Sequence, residues 1–270
     1  MAAVETPFRY PGAKNKLIPL IMEQLDKILD GATQFSDVFV GGGSVLLAVA
    51  KKYPNLQLFA NDKDYWMYCF WKIVSGTDSN KLDELLDLVA VQPTLELFYK
   101  LREEETTDEI RCAYKAIFFN RTTFSGILYS GPIGGKEQKS KYTVDCRYNA
   151  TKLKNKILKC HKLLSGRTEV ENKDFADYEV LTKTNLPAYL DPPYYHKGNI
   201  LYIEKMDEFQ HKQLAEILHK RDNWTLSYDD CIEIRDLYQN HQILYLVTRY
   251  SINGKKQNWQ TKNELIINPR

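Results

Sequence analysis

Ser36-Asp37-Val38-Phe39-Val40-Gly41-Gly42-Gly43-Ser44-Val45-Leu46-Leu47-Ala48 runs from β-branched and aromatic residues, through three glycines, into apolar residues at helical spacing. A strand, a tight turn and a helix in that succession open a βαβ unit. Glycine at the turn lets the backbone bend sharply and approach a ligand closely. Downstream, a second strand, Leu56-Gln57-Leu58-Phe59-Ala60, ends at Asn61-Asp62. An acid at the end of the second strand of such a unit commonly accepts hydrogen bonds from ribose hydroxyls. The full dinucleotide fingerprint is missing, because its last glycine would fall at Leu46. The unit is expected to hold a nucleoside without a pyrophosphate, and S-adenosylmethionine (AdoMet) fits that description. The plainer alternative is a glycine turn beside a solvated aspartate.

A second constellation lies far downstream. The apolar run Leu186-Pro187-Ala188-Tyr189-Leu190 reads as a short buried strand and leads straight into Asp191-Pro192-Pro193-Tyr194. Two prolines cannot continue a sheet ladder, since they lack the N–H and have a fixed φ. The chain must leave the strand there, grouping a carboxylate, a rigid carbonyl and an aromatic ring at the strand's C-terminal edge, where open α/β sheets bind ligands. The two oxygens can accept both hydrogens of an amino group while the ring stacks on a flat heterocycle. Alone, the tetrapeptide also reads as a turn followed by a packing tyrosine.

A nucleoside-binding first half joined to an amine-gripping strand end resembles the Dam-type DNA adenine-N6 methyltransferases, nearly over the whole chain. Phe8-Arg9-Tyr10-Pro11-Gly12-Ala13-Lys14 resembles their N-terminal cofactor motif, Asp37 to Ala48 their glycine motif and Asn61-Asp62 their ribose-binding acid. Asn120-Arg121-Thr122-Thr123-Phe124-Ser125-Gly126, Gly131-Pro132-Ile133-Gly134-Gly135 and Arg147-Tyr148-Asn149 are similar to their DNA-binding signatures. Lys173-Asp174-Phe175 stands where the family flanks the cofactor adenine; Trp224–Tyr228 and Asn263–Asn268 resemble the closing strands. The order and spacing of these pieces are more specific than any one of them.

The resemblance implies an α/β protein: a Rossmann-like AdoMet-dependent methyltransferase sheet with a mostly helical target-recognition insertion and a β-hairpin loop. Residues 1–64 and 165–270 would form the AdoMet-binding catalytic domain, and 65–164 the DNA-binding region. Asp191, Pro192 and Tyr194 would act on the N6 amine of an adenine flipped out of double-stranded DNA, with Tyr195 able to share the stacking. Tyr10, Gly12, Ala13, Lys14, Phe39, Gly41, Gly43, Ser44, Asp62, Asp174, Phe175 and Asp191 would line the cofactor site, although Lys14 at a helix start is equally able to touch DNA. Asn120, Arg121, Thr123, Ser125, Lys139, Lys141, Arg147 and Asn149 would contact DNA, Arg121 first among the base readers.

Composition is compatible with this. In 270 residues, 43% hydrophobic and 12% aromatic residues supply a full core for one domain with an insertion. No apolar run is long enough to span a membrane, and Met1 to Thr6 has no signal-peptide pattern. Cys69, Cys112, Cys146, Cys160 and Cys231 are scattered, as expected of reduced thiols in a cytoplasmic protein with neither disulfides nor zinc. The histidines show no metal spacing, so no metal is expected, and a monomer or weak dimer suits the chain. Net charge is only +2, yet ten Lys or Arg between Lys136 and Arg167 face two acids, Glu137 and Asp145. Such a basic stretch suits a polyanion, or a solvated helix.

Apolar spacing predicts helices after Lys14 to about Leu29, over 65–74, 80–90, 94–104, 108–119 and 149–164, and from Asp207 to Arg221 with a capping box of Asp207 and Gln210. Strands are expected near 168–171, 186–190, 224–228, 243–247 and 264–268, the last two joined as an antiparallel hairpin through Asn253-Gly254. Residues 120–148 lose periodicity and read as a long functional loop or hairpin. Two other activities remain open. A nicotinamide-dependent oxidoreductase has the glycine turn and acid in its favour, and the missing glycine and Asp191–Tyr194 against it. An RNA adenine methyltransferase shares the chemistry and differs in substrate.

Overall fold

A computed structural model describes residues 5–9, 17–196, 206–251 and 259–270. Its centre is a seven-stranded sheet made of β1 (Gln34–Asp37), β2 (Gln57–Asn61), β3 (Thr168–Glu171), β4 (Ala188–Leu190), β5 (Trp224–Asp229), β6 (Gln242–Ser251) and β7 (Trp259–Asn268), in the order β3-β2-β1-β4-β5-β7-β6. The first five strands run parallel, and β7 enters antiparallel between β5 and β6. This is the expected Rossmann-like methyltransferase sheet. From β1 the chain steps outward through β2 to β3, then returns to β4 on the opposite side. The crevice between the C-terminal ends of β1 and β4 is therefore the topological switch point, where such sheets bind ligands.

The helices are α1 (Ile18–Leu29), α2 (Ser44–Lys52), α3 (Tyr65–Ser75), α4 (Ser79–Ala90), α5 (Leu95–Glu103), α6 (Glu109–Thr122), α7 (Ala150–Leu164), α8 (Glu179–Thr182), α9 (Glu208–Leu218) and α10 (Ile232–Leu237). Six of these starts follow from side chains that satisfy the first free N–H groups. Asp64, Asp78, Thr94, Asp108 and Asn149 each accept from backbone N–H groups of the first turn. At Asp207 the capping box with Gln210 is complete in both directions. One buried core joins α1–α7 to the β1–β3 half of the sheet, with Trp71, Phe70, Phe118 and Phe119 at its centre. A second packs α8–α10 against β4, β5 and β7 around Trp224, Tyr228 and Tyr238.

Several expected boundaries move. β1 begins at Gln34 and ends at Asp37, although the Val38 N–H still reaches Tyr189 O at 3.0 Å and the Val40 N–H reaches Asn61 O at 2.9 Å. β4 starts only at Ala188, since Pro187 has no N–H to give a ladder. The hairpin strands are longer than expected, and the Asn253-Gly254 turn lies outside the described residues. Helix α6 runs on through Asn120, Arg121 and Thr122, so these residues are not in a loop. Among the described residues, no helix is long and apolar enough to cross a membrane.

Candidate active site

The register Ser36↔Ala188 and Asp37↔Tyr189 makes the turn after β1 and the Asp191–Tyr194 segment after β4 neighbours at one sheet edge. The turn is tied down atom by atom. Gly41 N–H donates to Asp62 Oδ2 at 2.8 Å, Gly41 O accepts from the Trp71 indole N–H at 2.7 Å, and Gly43 N–H donates to Val40 O at 2.7 Å. Thr6 Oγ1 donates to Gly42 O. Gly43 has φ +68°, and a Cβ there would lie 2.3 Å from the Trp71 ring. Glycine is thus required both by conformation and by the packed indole. Gly43 opens into α2, whose first residue, Ser44, is half-buried.

Asp62 does more than sequence reasoning assigned to it. Besides Gly41, its carboxylate accepts from Asp64 N–H at 2.9 Å, so it braces the glycine turn and orders the entry into α3. The Phe39 and Phe175 rings touch each other, with centroids 5.9 Å apart, and so make a single aromatic wall. Asp174 pairs with Lys63 at 3.1 Å and caps the Ala176 N–H at 3.1 Å. Beneath them, Asn61 receives Lys173 N–H at 3.0 Å and donates to Val38 O and Lys173 O, knitting the ends of β1, β2 and β3 together. A glycine turn that admits no Cβ at Gly43, an acid at the adjacent strand end and an aromatic wall suit a nucleoside-bearing cofactor. Tyr10, Gly12, Ala13 and Lys14 lie outside the described residues.

At the other strand end Asp191 is half-buried, while Pro192 and Tyr194 are buried. The Tyr194 hydroxyl donates to Glu264 Oε2 on β7 at 3.0 Å, and the Tyr195 N–H reaches Asp229 Oδ1 on β5 at 3.3 Å. The Tyr195 ring lies 4.8 Å from that of His211, which shares a hydrogen bond with the Tyr228 hydroxyl. Burial depresses the His211 pKa to about 4, so the ring is neutral at pH 7. None of Glu264, Asp229 and His211 stood out in the sequence, because their partners lie on other elements. His196, Cys231 and Glu233 likewise bring ligand-type atoms within 4.8 Å of one another, a proximity that no sequence spacing signalled.

The expected base-reading residues divide in two. Asn120 is 1% exposed, and its side chain is spent on backbone: Oδ1 accepts from Arg9 N–H at 2.6 Å, and Nδ2 donates to Arg9 O at 2.8 Å and Gly126 O at 3.0 Å. Arg121 is buried and donates to Pro7 O; burial, with Arg9 nearby, lowers its pKa to about 10, still fully cationic at pH 7. Thr123 is buried and donates to Phe119 O at 2.6 Å. The outward-facing placement expected of these three is therefore corrected. From Cys112 to Thr122 α6 is buried, and the N-terminal segment supplies partners to Asn120 and Arg121 through Arg9 and Pro7. Asn149 is exposed but caps α7 through Lys152 N–H at 2.9 Å. Ser125, Lys139, Lys141 and Arg147 are exposed. So is Phe124, at 69%, on a turn tied back by Phe124 N–H to Gly131 O at 3.0 Å and by Arg102 to Leu128 O and Ser130 O.

A Rossmann-like sheet with a glycine turn and an Asp-Pro-Pro-Tyr group side by side at its switch point is an arrangement suited to a nucleoside-bearing ligand. The chain belongs to the D12 class N6 adenine-specific DNA methyltransferases, whose family model matches residues 10–252, and it methylates adenine in DNA. A relative, the Type II methyltransferase M.MjaIII of Methanocaldococcus jannaschii, is 26% identical over 211 residues, covering 70% of this chain and 68% of the relative. Among solved structures, the precorrin-6y C5,15-methyltransferase of Geobacter metallireducens aligns with TM-score 0.42 and 7% identity over 97% of this chain and 94% of that one. An rRNA methylase of Streptococcus thermophilus aligns with TM-score 0.35 and 9% identity over 94% of this chain and 97% of that one. Family membership implies use of AdoMet.

Proposed function

We propose that the chain methylates a defined short sequence in duplex DNA, with Asp191, Pro192 and Tyr194 receiving a flipped adenine beside AdoMet held at the glycine turn. The observation that carries this reading is the β1–β4 register, which makes the two strand ends neighbours. Adenine N6 is a poor nucleophile because its lone pair is delocalised into the ring. The Asp191 carboxylate and Pro192 carbonyl each accept one N6 hydrogen, so the nitrogen pyramidalises and its lone pair points outward. Both acceptors hold the amine more strongly as positive charge builds on it, which is stabilisation specific to the transition state. AdoMet, when bound, supplies an electrophilic methyl group.

Gly41, Gly43, Ser44, Asp62, Phe39, Asp174 and Phe175 form the cofactor side, completed by Asp191 and by Tyr10, Gly12, Ala13 and Lys14. A duplex hides the amine, so the base must leave the stack, and Tyr194 offers it a face. Residues 65–164 form the recognition region. There Lys139, Lys141 and Arg147 meet phosphates, Ser125 meets a base edge, and the exposed Phe124 ring wedges into the stack. Asn120, Arg121 and Thr123 support that surface from inside, as does Asn149 from the start of α7. The Type II relative supports a role as the modifying member of a restriction–modification pair.

The test is to incubate purified protein with AdoMet and unmodified genomic DNA and to map the modified bases. N6-methyladenine confined to one short sequence is expected. Asp191→Ala should cut turnover by about two to three orders of magnitude, the effect of removing a donor or acceptor that acts in the transition state. Methylation without sequence context, or a wild-type rate in the folded Asp191→Ala variant, overturns the reading.

A further inference from the structure

We infer that Glu264 and Asp229 form an acidic brace that sets the posture of Tyr194 and Tyr195, making both carboxylates positioning residues for methyl transfer. This rests on the reading of Asp191–Tyr194 as the catalytic segment. Asp229 closes β5 and Glu264 lies on β7, and the two are register partners across that antiparallel pair. Both are buried, Asp229 at 6% exposure and Glu264 at 1%. Taking carboxylates out of water is costly unless they receive hydrogen bonds, so a fold that keeps two of them side by side commits them to particular donors. Each accepts from the segment after β4: Glu264 from the Tyr194 hydroxyl, Asp229 from the Tyr195 main-chain N–H.

The two bonds act on different degrees of freedom. The Tyr195 N–H bond holds the Tyr194–Tyr195 peptide at one end of the segment and β4 holds the other, while the fixed φ of Pro192 and Pro193 limits how the Pro192 carbonyl between them can turn. The Tyr194 bond pins the far end of a residue only 9% exposed, so swinging the ring about its Cα–Cβ bond would break that bond. Hydrogen bonds to a charged, buried acceptor are among the stronger ones in proteins. A ring and a carbonyl held from one rigid antiparallel pair keep their relative geometry when a base arrives. Misplacement of about 1 Å at such a site is enough to cost two orders of magnitude in rate.

The experiment measures single-turnover methylation of a duplex carrying the mapped site, with AdoMet affinity by calorimetry and thermal stability alongside. Tyr194→Phe and Glu264→Leu should each slow the single-turnover rate by about ten- to a hundredfold, the equivalent of one charge-assisted hydrogen bond. AdoMet affinity should stay within about twofold of wild type, because the brace does not touch the glycine turn. Glu264→Gln, whose amide oxygen still accepts from the hydroxyl, should restore most of the rate. The Tyr194→Phe, Glu264→Leu double variant should be no slower than the slower single variant, since both remove one bond. Rates that multiply in the double variant overturn the brace. If Glu264→Leu does not fold, a wild-type rate in Tyr194→Phe overturns it alone. Asp191→Asn, run in parallel, separates the two readings: its activity tests the catalytic segment, whereas an inactive Asp191→Asn beside a normal Tyr194→Phe rejects only the brace.

Discussion

Replacing Asn120 by alanine isolates one buried node that joins three parts of the chain. The side chain makes three hydrogen bonds, two to Arg9 and one to Gly126, across separations of 111 and 6 residues. It therefore fastens the approach to the Tyr10–Lys14 segment onto the end of α6 and onto the turn that presents Phe124 and Ser125. Each bond contributes about 0.5–1.5 kcal/mol net, so losing three costs roughly 1.5–4.5 kcal/mol. That is a large part of a typical domain's stability of about 5–15 kcal/mol. For a chain of this size about 2 °C of melting temperature is lost per kcal/mol, so a fall of roughly 3–9 °C is expected by calorimetry or circular dichroism. On the proposed assignment, AdoMet and DNA affinity should fall together, because Asn120 holds Arg9, next to the segment proposed for the cofactor, and Gly126, in the turn proposed for DNA. Asn120→Asp, which loses both donors and turns a buried carboxylate toward the Arg9 and Gly126 carbonyl oxygens, should be at least as destabilising as alanine at neutral pH. An unchanged melting temperature combined with altered preference at one base pair would refute the structural role and return Asn120 to the DNA interface.

Asp62→Ala should weaken AdoMet binding by about 1–3 kcal/mol, since Gly41 N–H and Asp64 N–H both lose their acceptor; unchanged calorimetric affinity in folded protein rejects that assignment. Alanine at Lys141 or Arg147 should weaken binding to all duplexes alike and reduce the salt slope by about 0.9 per contact, and an unchanged slope means no phosphate is met there. The pH dependence of stability should carry the mark of His211, whose pKa in the folded protein lies at about 4 against 6.5 for the ordinary side chain. Between these values the unfolded chain binds more protons, so stability is full above about pH 6.5 and is lost as pH falls toward about 4. Urea titrations of wild type and His211→Asn should diverge least at the acid end of that window, and parallel curves across it would exclude the buried imidazole as the cause.

Much of the architecture was legible because it is written in local rules. Apolar spacing located α3, α5, α6 and α7, and the Asp207–Gln210 capping box located α9; the structure adds that Asp64, Thr94, Asp108 and Asn149 cap the first four by contacts within three residues. α8 and α10 went unread, being too short to show a period. The glycine turn after β1 and the stop after β4 were legible for the same reason. A left-handed glycine at Gly43, an acid at a strand end and prolines that stop a strand are constraints on backbone conformation that single residues impose.

By itself, then, the sequence determined the order of the strands and of the longer helices, the glycine turn, the break at Pro192 and the family. Tertiary structure decided which polar side chains face water. Asn120 and Arg121 read as ligand-facing because free polar groups usually are, but their acceptors and donors come from Pro7 and Arg9, which only folding brings alongside. Glu264 reads only as the start of a closing strand and Asp229 as the residue after another; β7 entering between β5 and β6 makes them partners, each accepting from the Tyr194–Tyr195 segment. Periodicity and capping report the conformation of a short stretch, because the interactions behind them span a few residues. A buried hydrogen bond depends on the identity of a distant partner, and that partner is chosen by strand order and packing, which no local window of sequence contains.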